Sequence, residues 1–119
     1  MATHNDLGNE GEQLAVDYLL KNGYEVLERN YRFQKAEVDI IAQKENILAV
    51  VEVKTRTSAD FGNPEDFVKP KQIKLLVKAV DEYVVSNDLD IEVRFDIIAI
   101  LHEKQNVTIK HIEDAFYHF

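Results

Sequence analysis

The sequence predicts an α/β layered domain, and three observations carry that prediction. Two segments show the three-to-four-residue apolar spacing of amphipathic helices. Five others are rich in the branched and aromatic residues of strands. The two kinds alternate as helix, three strands, helix, two strands, the order of a sheet layered with helices. A chain of 119 residues fits one domain spanning residues 1–119, large enough for a hydrophobic core without disulfides or structural metals. With 45% apolar and 30% charged residues, it reads as a folded globular protein.

The first helix is expected from Leu7 to Leu20, with Ala15, Val16 and Leu19 on one stripe and Leu14 and Tyr18 beside it. Asn22-Gly23 ends it with residues suited to a left-handed turn. Tyr24 to Phe33 reads as a strand with some irregularity. Two strands follow, Glu37 to Ala42 and Ile47 to Lys54, joined by the polar "QKEN". "TSADFGNPEDF" is a loop whose turn chemistry comes from Gly62-Asn63-Pro64. Pro70 suits the first turn of the second helix, which carries Ile73, Leu76, Val77, Val80 and Val84 on one face and ends near Asn87. Ile91 to Leu101 is apolar enough for a central strand. Val107 to Ile112 is the last strand and leads into an aromatic tail, Phe116, Tyr117 and Phe119, expected as a core plug or dimer contact.

Acids interrupt the two most strand-like segments: Glu37 and Asp39 in one, Glu52 in the other, with Lys54 close behind. If "QKEN" is a four-residue hairpin loop, Ala42 faces Ile47, Asp39 faces Val50 and Glu37 faces Glu52. Side chains alternate with a period of two, so Glu37, Asp39, Glu52 and Lys54 share one face while Ile40, Ala49, Val51 and Val53 share the other. Like charges facing across a sheet are destabilising, so something positive belongs between them: Lys54, or a hard divalent cation with oxygen ligands. The plain alternative is a set of solvated residues on an exposed hairpin face. Against it, that face also carries Ile41, Leu48 and Val50, and the acids gather at one end. Glu12 heads the apolar stripe of the first helix and so turns inward. Asn9-x-x-Glu12 fits a helix-capping pair equally well.

Some function classes are excluded. Without cysteine there are no disulfides and no thiolate zinc site. The N-terminus has no basic start or apolar stretch, so no secretory signal is expected, and no apolar run approaches the roughly 18 residues of a spanning helix. No membrane association and a cytoplasmic location are therefore expected. The net charge is −8, from 22 acids against 14 Lys plus Arg, which weighs against nucleic-acid binding unless the acids collect in a metal site and on a far face. His4, His102, His111 and His118 show no metal-ligand spacing and are read as structural or incidental.

Asp39 followed by Glu52-Val53-Lys54 resembles the D…(D/E)xK signature of restriction-endonuclease-like nucleases. "GNEGEQLAVDYLLKNGYEVLERNYR", "AEVDIIA", "VVEVKTR", "FGNPEDFV", "RFDIIAI" and "HIEDAF" together resemble the small bacterial YraN-like family, related in fold to archaeal Holliday-junction resolvases. The resemblance covers the chain from about Gly8 to Phe116. It implies a restriction-endonuclease-like domain, a mixed central sheet flanked by helices in the order α-β-β-β-α-β-β, with a metal-dependent nuclease site. It places that site on Glu12, Asp39, Glu52 and Lys54, with Asp39, Glu52, Glu12 and the Val53 carbonyl holding Mg²⁺ or Mn²⁺. Ala36 and Val38 depart from the usual glycine and proline before the aspartate. The resemblance also draws attention to Gln72, because related nucleases often carry a glutamine on the helix after the "ExK" strand.

Around that site Lys71, Lys74 and Lys78, with Lys69 nearby, are candidate phosphate contacts, although a solvated helix face is the better account of them, since lysine on exposed helices is ordinary. Arg56 and Thr55 continue the "ExK" strand, and Arg32 and Lys35 stand across the groove. Two function classes follow. One is a metal-dependent endonuclease acting on DNA, at branched or flapped structures, with a homodimer expected if it cuts two strands. The other is a non-catalytic nucleic-acid or protein adaptor on the same fold.

Overall fold

Three strand segments, around Ile40, Val50 and Ile98, are apolar at successive rather than alternate positions, so a sheet built from them must be covered on both sides. The computed structural model, which describes residues 4–57 and 68–115, has that arrangement. Its elements are α1 (His4–Lys21), β1 (Glu25–Phe33), β2 (Ala36–Lys44), β3 (Ile47–Arg56), α2 (Pro70–Ser86), β4 (Glu92–Glu103) and β5 (Asn106–Ile112). The order is the one expected. The strands form one five-stranded sheet in the spatial order β1-β2-β3-β4-β5. Only β3 and β4 are parallel, and α2 supplies the crossover a parallel pair needs. This is a small α/β domain with a mixed sheet, compatible with a restriction-endonuclease-like fold. The central strand is β3; β4, expected in the centre, stands next to it and second from the edge.

Each helix covers one face. Ala15 and Leu19 of α1 are fully buried against Ile40, Ala49, Val51 and Ile98. Leu76 and Ala79 of α2 pack on Ile41, Leu48, Val50 and Ile97. Both helices end in the same way. Tyr24 N–H reaches back to the Leu19 carbonyl (2.9 Å) and Gly23 N–H to Leu20 (3.2 Å), with Gly23 at φ 89°. At the end of α2, Leu89 N–H bonds the Val84 carbonyl (3.0 Å) and Asp88 takes the left-handed position at φ 51°.

The hairpin register differs from expectation by two residues. Gln43 and Lys44 are strand residues, paired with Leu48 and Ile47, and the turn is only Glu45-Asn46, with Glu45 at φ 55°. Ala42 therefore faces Ala49 and Ile41 faces Val50, and pairing stops at Ile40 and Val51. A shift of two keeps every side chain on its face. It changes the neighbours, however: continued one step, the register sets Asp39, not Glu37, against Glu52. Glu37 instead lies outward in an exposed pair with Arg32 at 3.4 Å.

The strands also bend at this point. Val38 packs with the α2-side core and Ile40, two residues on, with the α1-side core, so alternation is broken at Asp39. Asn30, between the β1 residues paired to Val38 and Ile40, has φ 53°. The Gly62-Asn63-Pro64 turn, the aromatic tail, His118 and the side chains of His4 and Asn9 lie outside the described residues.

Candidate active site

Where β2 and β3 part company, two backbone amides lose their ladder partners, and two carboxylates replace them. Val53 N–H donates to Asp39 Oδ2 at 2.8 Å, and Asp39 N–H donates to Glu52 Oε2 at 3.3 Å. Gln72 Nε2, from the first turn of α2, donates to Glu52 Oε1 at 3.0 Å. The N–H and C=O of one strand residue point the same way, so the Val53 carbonyl also faces the gap beside Asp39. The exposed-face alternative is overturned here, because Glu52 is only 3% exposed.

The two acids sit close together, Glu52 buried and Asp39 half-buried, and their protonation reflects it. Burial first, then the Asp39 charge, push the Glu52 carboxyl up to about 8. Burial also raises Asp39, opposed by its hydrogen bonds with Val53 and Glu52 and by the Lys54 charge. Lys54 follows Glu52 by two residues on the same strand and lowers both carboxyls. Glu12 comes in from α1. Burial and the Asp39 charge raise it, while Arg29, 3.9 Å away, and a hydrogen bond with Asn30 work the other way. Its Oε1 is buried without a hydrogen-bond partner. The structure thus brings Asp39, Glu52 and Lys54 within electrostatic reach of one another and Glu12 within reach of Asp39.

The remaining candidates are more scattered. Gln72 is turned onto Glu52. Lys71 and Lys74 are exposed on the same end of α2. Arg56 is partly buried at the end of β3, and its Nη1 donates to the Thr55 carbonyl at 2.8 Å. His102 approaches Glu10 at 4.0 Å, away from the acids of the sheet.

The oxygens of Glu12, Asp39 and Glu52 and the Val53 carbonyl are the donor set of a hard divalent cation. The orphaned Glu12 oxygen and the raised Glu52 carboxyl are what a cation would relieve, so the residues fit such an ion. Among the described residues, no three acid or imidazole groups already converge as a finished cage. The two strand acids spend oxygens on backbone amides instead.

One cluster escaped the sequence reading. Asp96, in the apolar run of β4, is completely buried. Its Oδ1 accepts from Arg94 Nε (2.9 Å) and the Asp114 amide (3.1 Å), and its Oδ2 from Arg94 Nη2 (2.8 Å) and His111 Nε2 (2.8 Å). A carboxylate can only accept, so His111 Nε2 carries the proton in that bond. The other ring nitrogen of His111 lies 3.2 Å from the Tyr18 hydroxyl, and Arg94 also donates to the Tyr24 hydroxyl at 2.6 Å. Burial alone would raise Asp96, but the hydrogen bonds from His111 and Arg94 outweigh it and hold the carboxyl below its ordinary value. The sequence signal was thin: an acid and a base two apart in one strand, with the histidine on another. The histidine is structural.

The fold and the site together define a small α/β domain with a carboxylate pair, one member buried and one half-buried, and a lysine at the parting of two strands. A model of the uncharacterised protein family UPF0102 matches residues 11–100, which include Glu12, Asp39, Glu52 and Lys54. A UPF0102 protein of Flavobacterium psychrophilum is 68% identical over the full length of both chains, and one of Christiangramia forsetii is 62% identical over the same extent. A third, from Phocaeicola vulgatus, is 48% identical over 98% of this chain and 97% of its own. The chain belongs to the UPF0102 family, which is the YraN-like family.

Proposed function

We propose that the protein is a metal-dependent endonuclease of the cytoplasm that hydrolyses DNA phosphodiester bonds, with branched or flapped DNA as its substrate. The observation that carries this reading is the Asp39–Glu52 pair at the strand parting, Glu52 buried and Asp39 half-buried, with Lys54 acting on both and a Glu12 oxygen that lacks a hydrogen-bond partner. Two neighbouring carboxylates, both raised by burial, are costly for a fold that has no use for them.

In this reading Asp39, Glu52, the Val53 carbonyl and Glu12 would hold Mg²⁺ or Mn²⁺. When bound, such an ion acidifies water and stabilises charge on a phosphate. The protein's own groups do the rest. Gln72 fixes the rotamer of Glu52 through Oε1. The Lys54 ammonium offsets negative charge as it builds on the scissile phosphate. In the same reading Lys71, Lys74 and Arg56 would touch neighbouring phosphates, setting the position of the strand without reading its sequence.

The charge layout supports this despite the net −8. Arg32, Lys35, Lys54, Arg56, Lys69, Lys71 and Lys74 belong to the end of the sheet and helix where the site lies. Glu25, Glu45, Asp88, Asp90 and Glu92, together with Lys21 and Lys44, belong to the other end, where Glu92 N–H meets the Asn46 carbonyl. Glu10, Glu37 and Glu103 stand among the bases of the site's end. Cutting both strands at a branch would take two such sites, in a symmetric dimer. One observation favours a non-catalytic adaptor instead: Asp39 and Glu52 already have a structural use as caps for each other's strands.

The test compares wild type with Asp39→Ala on end-labelled linear, flapped and four-way DNA, in Mn²⁺, Mg²⁺ or EDTA. Cleavage by wild type alone, dependent on metal and greatest on branched DNA, is the expected result. A folded wild type that cuts nothing, or an Asp39→Ala chain that cuts equally, gives the site to the adaptor.

A further inference from the structure

Glu12 is the member of the acid cluster that comes from a helix rather than the sheet, so its place depends on how deeply α1 sits on β3. The residue before it, Gly11, is buried against Thr55 of β3. A β-carbon built on Gly11 would overlap Thr55 Oγ1, and would lie 3.2 Å from Thr55 Cβ and 3.3 Å from Cγ2. The severe overlap is with the γ oxygen and the Cγ2 contact is tight as well, whereas the Cβ contact needs only a few tenths of an ångström of give. It is the threonine's γ atoms that leave no room for a side chain here. Gly11 sits within a regular helix, where glycine is a poorer choice than alanine. Space, not backbone freedom, is what this position needs. One turn further on, Ala15 is completely buried on the same face and anchors the rest of the helix.

We infer that Gly11 is a positioning residue: its missing side chain lets α1 dock on Thr55 closely enough to bring the Glu12 carboxylate beside Asp39. The consequence for metal binding rests on the nuclease reading; the docking itself does not. A glycine that mattered only to the helix would be improved by alanine. A glycine that sets docking depth would not, since alanine would lift the start of α1 and carry Glu12 away from the sheet.

The experiment uses the full chain as wild type, Gly11→Ala, Thr55→Ala and the double variant. Mn²⁺ affinity is read from the electron paramagnetic resonance of free Mn²⁺, with NOEs between α1 and β3 recorded in EDTA and folding followed by circular dichroism. Gly11→Ala should weaken Mn²⁺ binding about tenfold, the scale of a lost supporting contact. Thr55→Ala alone should leave it unchanged, and the double variant should return to within about threefold of wild type, as coupled neighbours do. NOEs between residue 11 and Thr55 should weaken in Gly11→Ala while those between Ala15 and Val51 persist. Unchanged affinity in Gly11→Ala, or a loss that Thr55→Ala does not relieve, overturns the inference. If Gly11→Ala fails to fold, a double variant that folds supports it and one that does not overturns it. If wild type binds no Mn²⁺, the metal reading falls by itself. The NOEs then decide the docking, and unchanged contacts in Gly11→Ala overturn it.

Discussion

Asp96 on β4 and Glu52 on β3 stand one position out of step across the parallel pair at the middle of the sheet, Asp96 opposite Val51 and Glu52 opposite Ile97. One points to the α1 side and the other to the α2 side, and both are buried. Asp96 is answered by a guanidinium, an imidazole and a backbone amide, which come from its own strand, from β5 and from the segment after β5. Glu52 is given an amide side chain, one backbone N–H and another carboxylate. The first is held below its ordinary pKa and the second is pushed up to about 8. The same sheet therefore holds one buried acid that has everything it needs and one that is short of positive charge. The first is a fastening, closing β4, β5 and residues 113–115 together. The second makes physical sense as a place kept for a cation.

The largest effect expected from this contrast is at the fastening. Asp96→Ala would leave Arg94 and His111 without their carboxylate and should remove about 3–5 kcal/mol of stability near pH 7. That is a large part of what a domain of this size has to lose. Urea unfolding measures it, and adding Arg94→Met to Asp96→Ala should return part of the loss, because the stranded charge goes too. A loss under about 1 kcal/mol would mean that the cluster is ornament on the fold, and the comparison would fail on that side.

Glu52→Gln should do the reverse, stabilising the protein in EDTA by about 2 kcal/mol at pH 9 and hardly at all at pH 5. Glu52 has a folded-state pKa near 8 against 4.5 for the free side chain, so the folded chain holds a proton that the unfolded chain has released. Wild-type stability should therefore fall from about pH 4.5 to 8 on this group's account and level off above. Asp96 has the opposite sign: its folded pKa lies below the ordinary 3.8, so its contribution is present above that value and is lost as pH falls below it. Paired titrations of wild type and the two variants separate the limbs. Mn²⁺ should cancel the alkaline decline in wild type and stabilise Glu52→Gln, which lacks that decline, far less at pH 9, because only the ionised acid gains from the cation. An equal response in both would break the link between the raised carboxyl and a metal.

How much of this could be read in advance follows a physical line. Element order was legible because apolar periodicity is local, and α1 and α2 each show it within one segment. The faces of the residues in β3 were legible for the same reason, but not those of β2 before Ile40, where the bend at Asp39 breaks the alternation. The hairpin register was not, because Gln43 and Lys44 are polar and look like loop although they pair with Leu48 and Ile47. That miss put Glu37 where Asp39 belongs. Asp39, Glu52 and Lys54 were legible because an acid inside an apolar strand is conspicuous. Asp96 was equally placed, but its meaning depends on His111, 15 residues away, and on Arg94, itself bonded to Tyr24 70 residues from it, and nothing local brings them together. Gln72 drew attention only through the family resemblance, and its contact with Glu52 depends on how α2 folds back over β3.

Gln72 also gives the smallest and most discriminating of the expected effects. Its Nε2 is the only side-chain donor described for Glu52, and it arrives from α2, so it ties the helix to the site. A hydrogen bond to an ionised acceptor is stronger than one to a neutral acid. Gln72→Ala should therefore cost about 1 kcal/mol at pH 9, where Glu52 is ionised, and less at pH 5, where it is protonated. Part of the loss is made up by water, since Gln72 is only partly buried. Urea unfolding at the two pH values, in EDTA, measures the difference. In a Glu52→Gln background the pH dependence of the Gln72→Ala cost should disappear, because no charge remains for the amide to meet. If the cost is the same at both pH values in the wild-type background, Gln72 is holding α2 by packing alone, and the orientation of Glu52 must come from the Asp39 amide.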